Sequence, residues 1–494
     1  MRNRYFTFAF VAREASLLPT PLLERCLVLF ARAIRPCGVL FLTISVACAP
    51  LDRATPQHAG PVTVEGAHGT LSVSQSAAVV ANAVADAPDP AATNALVSLM
   101  ENLSDEPLYK DNSVGLLVDG PATYDAMLGA VRAAQRYIHV EMYIIGDDEV
   151  GRTFAKLLIE KAQQGVAVRV LYDSIGSWEA SAGFFDRMRE AGIEVIAFGS
   201  ANPLGGGNPL KVNNRDHRKI LIVDGEAAFA GGLNIDKNYS NSSGGSGVPG
   251  SSSNSGGASR SKRPERGWRD TDVVVQGPAV MAFAQLFREN WVRSGGVIPE
   301  SLDDGTPRAH GHELVRVLSA VGGDGEVSPI RTAYQLAIER AAQRVWITQP
   351  YFTPDKAFLA SLKNAAQRGV DVRIIVPATS DSTVVLHSSR YHYGPLLESG
   401  VRIFEHRDAM LHAKTAVVDG IWSTVGSSNL DYRSFLHNDE VNAVIVGDDF
   451  GKQLETRFEA DQAASGEITL SQWRKRGPLS RIKEFCANAI AYWL

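Results

Sequence analysis

Two histidines in this chain head the same pattern of polar residues: a lysine two positions on, an aspartate seven on and an asparagine seventeen on. The first copy reads His217-Arg218-Lys219-Ile220-Leu221-Ile222-Val223-Asp224 and reaches Gly231-Gly232-Leu233-Asn234. The second reads His412-Ala413-Lys414-Thr415-Ala416-Val417-Val418-Asp419 and reaches Gly426-Ser427-Ser428-Asn429. Residues two apart share a face of an extended strand, so each histidine projects beside its lysine. A neutral imidazole suits both covalent catalysis and proton transfer near pH 7. Lysine is itself a cation and no acidic cluster accompanies either motif, which argues against a metal site. Asp224 and Asp419 read mainly as structural hydrogen-bond acceptors. Catalytic imidazoles also need orienting partners. Glu440 lies 28 residues after His412 and Asp270 lies 53 after His217; the excess of 25 is close to the length of a Ser/Gly-rich stretch between them.

The elements around the motifs repeat as well. Ala133-Ala134-Gln135-Arg136 recurs as Ala341-Ala342-Gln343-Arg344, and each copy leads into a strand-like run, an amphipathic helical segment and a second strand. Those second strands, Gly165 to Leu171 and Gly369 to Ile375, are nearly the same sequence. Strand, amphipathic helix and strand in series predict a duplicated α/β fold. The composition places one half at 91–300 and the other at 313–494, joined by a polar stretch at 301–312. Residues 49–90 read as a disordered linker, and 241–261, mostly Ser and Gly, as a disordered surface insert.

The chain is 494 residues long and 45% apolar, enough for two sizeable cores. Its net charge of -5 gives no global reason to bind nucleic acid. Cys26, Cys37, Cys48 and Cys486 lack metal-site spacing. The order Arg32, Arg35, the apolar run Gly38 to Val46, then Ala47-Cys48 predicts a signal peptide over 1–48. Ile44 to Cys48 resembles a bacterial lipobox, which implies a cell-envelope protein lipid-anchored through Cys48. The alternatives are a single inner-membrane anchor near Leu27 to Leu51, or a soluble arm.

The paired motifs resemble those of the phospholipase D superfamily, from about Ala91 to the C-terminus. Local runs are similar to bacterial cardiolipin synthases of that type, among them Glu141-Met142-Tyr143-Ile144, Trp268-Arg269-Asp270-Thr271-Asp272 and Gln349-Pro350-Tyr351-Phe352. The resemblance implies two homologous domains, each a mixed β-sheet flanked by helices, with one active site at their interface. It implies phosphoryl transfer with no metal and no cofactor. One imidazole, with His217 favoured, attacks the phosphodiester to give a phosphohistidine. The other, His412, protonates the leaving alkoxide and later deprotonates the incoming alcohol. Lys219, Lys414, Asn234 and Asn429 would hold the phosphoryl oxygens, while Asp270 and Glu440 orient the histidines. The implied reaction converts two phosphatidylglycerols to cardiolipin and glycerol. The same residues would serve a hydrolytic phospholipase D releasing phosphatidic acid, or a nuclease of the superfamily. The expected partners are a phospholipid and a membrane surface, with no nucleic acid; the sequence leaves the oligomeric state open.

At the C-terminus, Leu479, Ile482, Phe485, Cys486, Ala489, Ile490 and Trp493 recur at helical spacing after Gly477-Pro478. This stripe either packs on the second half or lies at an anionic lipid interface.

Overall fold

The computed structural model describes residues 61–85, 90–102, 106–199, 213–243, 266–299, 305, 307–323 and 327–493. The expected signal segment 1–48 with Cys48 lies outside them, as does most of the Ser/Gly-rich insert. Among the described residues no helix is long and apolar enough to cross a membrane.

Each half builds one mixed sheet in the same order. In the first, Glu194–Phe198, Ala167–Asp173 and Tyr137–Met142 run parallel; Lys219–Val223, Ala227–Gly231, Thr271–Gln276 and Leu108–Val118 continue antiparallel. In the second, Arg402–His406, Asp371–Pro377 and Arg344–Thr348 are parallel; Thr415–Val418, Trp422–Gly426, Asn438–Val446 and Glu313–Ala320 follow antiparallel. Glu313–Ala320 then pairs with Leu108–Val118, joining the sheets.

Both sheets are buried on two sides, which is why their central strands are nearly continuous apolar runs. Phe283, Phe287 and Trp291 from the helix Val280–Arg293 and Phe450, Leu454 and Phe458 from the helix Asp448–Ala463 share one core with both sheets. A separate cluster, including Met127, Phe154 and Phe184, fills the outer face of the first half. His139 belongs to the packing. Its ring stacks on Phe287 at 4.3 Å, and burial pulls its pKa down to about 3.

Within the stretch 49–90 read as a disordered linker, the described residues 61–85 are ordered. Val64–Gly66 and Gly69–Thr70 form a hairpin that adds to Leu108–Val118, and Ser72 and Gln75 form a capping box for the helix Val73–Ala83. Val64, Val80 and Val84 are buried, so a few valines among Ala and Ser supply enough apolar surface to order the segment.

The motif aspartates have a structural explanation. Asp224 and Asp419, at φ of 54° and 53°, begin turns with glycines that also have positive φ, Gly225 and Gly420. Two successive left-handed residues match the strand twist of a hairpin, and aspartate tolerates that conformation. The Asp224 carboxylate accepts hydrogen bonds from the backbone N–H of Gln135, Arg136 and Tyr137 at 2.7–2.8 Å. Asp419 does the same for Ala342, Gln343 and Arg344 at 2.8 Å. These bonds show that the repeated tetrapeptides match one residue out of register: Gln135 is the equivalent of Ala342, not of Gln343.

Candidate active site

The motif histidines sit where the two halves meet, each on a segment stitched to the other half. His217 N–H donates to the Asp439 carbonyl at 2.9 Å, and His412 N–H to the Arg269 carbonyl at 2.7 Å. Arg215–Asp216 pairs with Asn438–Asp439 as parallel strand, and Arg269 bridges Leu411. The buried ion pair between Arg269 and Asp461, at 2.7 Å, crosses the same junction.

This stitching exchanges the orienting carboxylates between halves. His217 Nδ1 lies 3.0 Å from both carboxylate oxygens of Glu440. His412 Nδ1 lies 2.8 Å from Asp270 Oδ2. Neither histidine is held by the carboxylate of its own half. The carboxylates engage Nδ1 of each ring, which turns Nε2 toward the chemistry; at His412 the Lys414 ammonium also stands close, 3.1 Å from Nε2 and 2.9 Å from Nδ1.

All the groups are buried, and burial sets their charge states. His217 is pushed well below the usual imidazole range, first by burial and then by Lys219 and Lys414. His412 is lowered by burial and Lys414, with Asp270 pulling the other way. Lys219 is lowered to about 7 and Lys414 to about 8, in both cases chiefly by burial. Burial raises Glu440 to about 7, against Lys219. Burial also works against ionised Asp270, yet His412 and Lys414 outweigh it and hold Asp270 below the usual carboxylate range. Each lysine acts on the histidine of the other half, so the four side chains form one electrostatic unit.

The amides are placed differently. Asn234 Oδ1 accepts from Ile144 N–H at 3.1 Å, and its Nδ2 donates to the Tyr239 hydroxyl at 3.2 Å. Asn429 is buried, with Oδ1 lacking a hydrogen-bond partner. Asp224 and Asp419 close turns at the far ends of the motif strands, and their carboxylates are occupied by backbone N–H groups.

Aromatic residues to which the motif pattern gave no role wall the site. The Tyr143 ring meets His217 at 4.9 Å, with Lys219 Nζ over its face at 5.1 Å. Tyr351, Trp268 and Tyr239 surround His412 at 6.2, 5.2 and 5.8 Å. The Tyr239 hydroxyl lies 3.1 Å from His412 Nδ1. Tyr143, Trp268 and Tyr351 stand inside or beside the family-like runs, which was a usable signal; Tyr239, in Asn238-Tyr239-Ser240, carried none. Asp272 is buried beside the site. Its Oδ1 accepts from Leu233 N–H at 3.1 Å, as Asn442 accepts from Ser428 N–H at 3.3 Å in the other half. Burial and then the neighbouring Asp270 raise the Asp272 carboxyl well above its ordinary value, and it stands where the other half has the amide of Asn442.

Known proteins share this sequence and fold. Residues 127–246 and 335–462 match the family model for the cardiolipin synthase, phospholipase D-like domain. Cardiolipin synthase A of Pseudomonas fluorescens is 36% identical over 402 residues, 81% of this chain and 79% of that protein. A cardiolipin synthase of Halalkalibacterium halodurans is 33% identical over 400 residues, 79% of this chain and 74% of that one. Among solved structures, phosphatidylserine synthase of Haemophilus influenzae has the same fold, with a TM-score of 0.55 at 13% identity, over 80% of this chain and 99% of that one.

Proposed function

This chain belongs to the phospholipase D-like cardiolipin synthase family, and on that premise we propose that it moves a phosphatidyl group from one phosphatidylglycerol to the hydroxyl of another. His217 Nε2 attacks phosphorus, the P–O bond to glycerol breaks, and His412 gives its Nε2 proton to the departing oxygen. Neutral His412 then takes the proton of the second lipid's hydroxyl. That oxygen attacks phosphorus, the P–N bond breaks, and cardiolipin leaves with His217 restored. Lys219 and Lys414, with Asn234 and Asn429, face the phosphoryl oxygens and stabilise charge in a buried site where each hydrogen bond counts for more than in water.

The observation that carries this reading is the crossed pairing of His217 with Glu440 and His412 with Asp270. It supplies two imidazoles whose Nδ1 atoms are held by carboxylates of different charge, with Nε2 turned to the phosphoryl group. An ionised carboxylate favours the protonated imidazole that a general acid needs, which suits His412. His217, lowered first by burial and then by Lys219 and Lys414, suits the uncharged nucleophile, whereas at His412, also lowered by burial and Lys414, Asp270 pulls the other way. Purified protein given labelled phosphatidylglycerol should yield cardiolipin and glycerol one to one, with turnover retained in chelator. Phosphatidic acid as the dominant product would identify water as the acceptor and a hydrolase instead.

A further inference from the structure

We infer that the face carrying the helix Pro478–Asn488 docks on an anionic phospholipid bilayer and presents the active-site mouth to it. This rests on the phosphatidyl-transfer reading and names the surface through which that reaction meets its substrate.

The helix is packed opposite to the usual sense. Its buried positions are Glu484 and Ala487, followed by Ala491 beyond the helix, while Leu479, Ile482, Phe485 and Ile490 stand 65%, 43%, 56% and 46% exposed. Of the two readings of the apolar stripe, packing on the second half or lying at a lipid interface, this exposure favours the second. Arg476 neutralises the inward Glu484 at 3.0 Å and lies over Trp473 at 4.2 Å, so the inverted orientation is fixed by a satisfied ion pair. An exposed apolar face of this kind marks an interaction site.

Charge and position choose the occupant. Residues 470–494 hold five Lys and Arg side chains and one Glu, a net of +4 in a chain whose total is -5. Lys475 and Lys483 are exposed and have no ion-pair partner among the described residues. A two-fold contact with a second copy would bring these cations against their own copies, whereas anionic headgroups neutralise them while the acyl region takes the apolar side chains. The helix packs on Thr383–Tyr391, with the Phe485 and Tyr391 rings 6.5 Å apart. That second helix starts beside Asp381, which accepts the hydroxyl of Tyr351 at 2.8 Å, and Tyr351 borders His412. The first half offers a matching outcrop at the carboxyl end of the corresponding strand, Ala167–Asp173. There Ile175 and Trp178 are 46% and 76% exposed, and Ser177 donates to the carbonyl of Tyr143, the residue beside His217. Exposed apolar side chains thus stand on both halves, each set linked to the active site through a single packed element.

The test uses the full chain and the variants Leu479→Ser/Ile482→Ser/Phe485→Ser and Lys475→Glu/Lys483→Glu. Flotation is measured with vesicles of phosphatidylcholine alone and with added phosphatidylglycerol, and turnover with both vesicles and monomeric short-chain phosphatidylglycerol. Any binding through the N-terminal residues is common to all three proteins. The serine variant should keep its melting temperature and short-chain turnover while vesicle binding and vesicle turnover fall about tenfold or more. The glutamate variant should lose the response to phosphatidylglycerol. A fall in melting temperature, equal losses on both substrates, or a wild-type dimer that the serine variant dissolves would each overturn the inference. If wild type proves inactive on every lipid, the reaction assignment fails, and the flotation result still decides the docking surface.

Discussion

Asp270 and Glu440 occupy equivalent places in the two halves, yet they hold their protons differently. Asp270 is held below the usual carboxylate range by His412 and Lys414, while burial pushes Glu440 up to about 7 even though Ser427 at 2.5 Å and Asn438 at 3.3 Å favour its ionised form. The loops that pack on them differ too. Gly232 packs on Asp270, where an added Cβ would come within 2.2 Å of Oδ1, and Ser427 at the equivalent position gives Glu440 a hydroxyl. A duplicated frame has therefore diverged in the residues that set charge, and kept the residues that set backbone. Catalysis by two like groups in unlike roles requires this kind of separation.

The largest effect should come from the imidazoles. His217→Ala and His412→Ala are each expected to lower turnover by on the order of 10⁴-fold. They should differ in kind. With an activated leaving group that needs no acid, the His412→Ala protein should still form a phosphatidyl adduct visible by intact mass, and the His217→Ala protein should not. Adduct in the latter alone would reverse the roles.

A smaller difference is expected between the carboxylates. Asp270→Asn should cost about 10²-fold in kcat, since it removes a fixed charge behind the acid; Glu440→Gln should cost about tenfold at pH 7. Glu440 is ionised above about 7 and protonated below, so wild-type kcat/KM on soluble phosphatidylglycerol should fall as pH drops through neutrality. Glu440→Gln should flatten that limb and Asp270→Asn should leave it; identical profiles would make the two carboxylates interchangeable.

Where the halves agree, substitutions should agree too. Asp224→Ala and Asp419→Ala each strand three backbone N–H groups and should destabilise by similar amounts, roughly 2–4 kcal/mol, read by denaturant unfolding. A loss of activity without a loss of stability would assign these aspartates a part in the chemistry.

The smallest effect should come from Asp272→Asn, which gives the first half the residue of the second. Folding raises this carboxyl above its ordinary 3.8, so the wild-type fold loses stability as pH rises past that value. The asparagine variant should match wild type near pH 4, unfold at higher denaturant than wild type at pH 8, and keep its activity. A variant less stable than wild type at pH 8 would show that the acid is required.

Much of this was legible in the sequence because duplication supplies its own control: His217 and His412, with lysine, aspartate and asparagine at the same offsets, mark both motif strands without any structure. The α/β class followed from strand and helix periods, and the equivalence of Asp270 and Glu440 from spacing alone. Which carboxylate serves which histidine was not legible, because the exchange arises from strand pairing between halves, and pairing partners leave no trace in spacing. The tetrapeptide match misplaced the register by one residue, since identity of side chains said nothing about which N–H groups the aspartates bind. The order within 62–83 was hidden by small residues around a few buried valines. The helix Pro478–Asn488 was legible as a helix, but its direction of facing was decided by Arg476 and Glu484, a pair that the apolar spacing does not reveal.

The exchanged pairs also bear on descent. Two identical half-length chains meeting about a two-fold axis would place each histidine on the partner's carboxylate, as Asp270 and Glu440 do here. In such a dimer a single codon writes both copies, so acid and nucleophile are bound to the same neighbours. Once the halves are read from one message, selection acts on each separately. Gly232 against Ser427, and Asp272 against Asn442, are the record of that freedom.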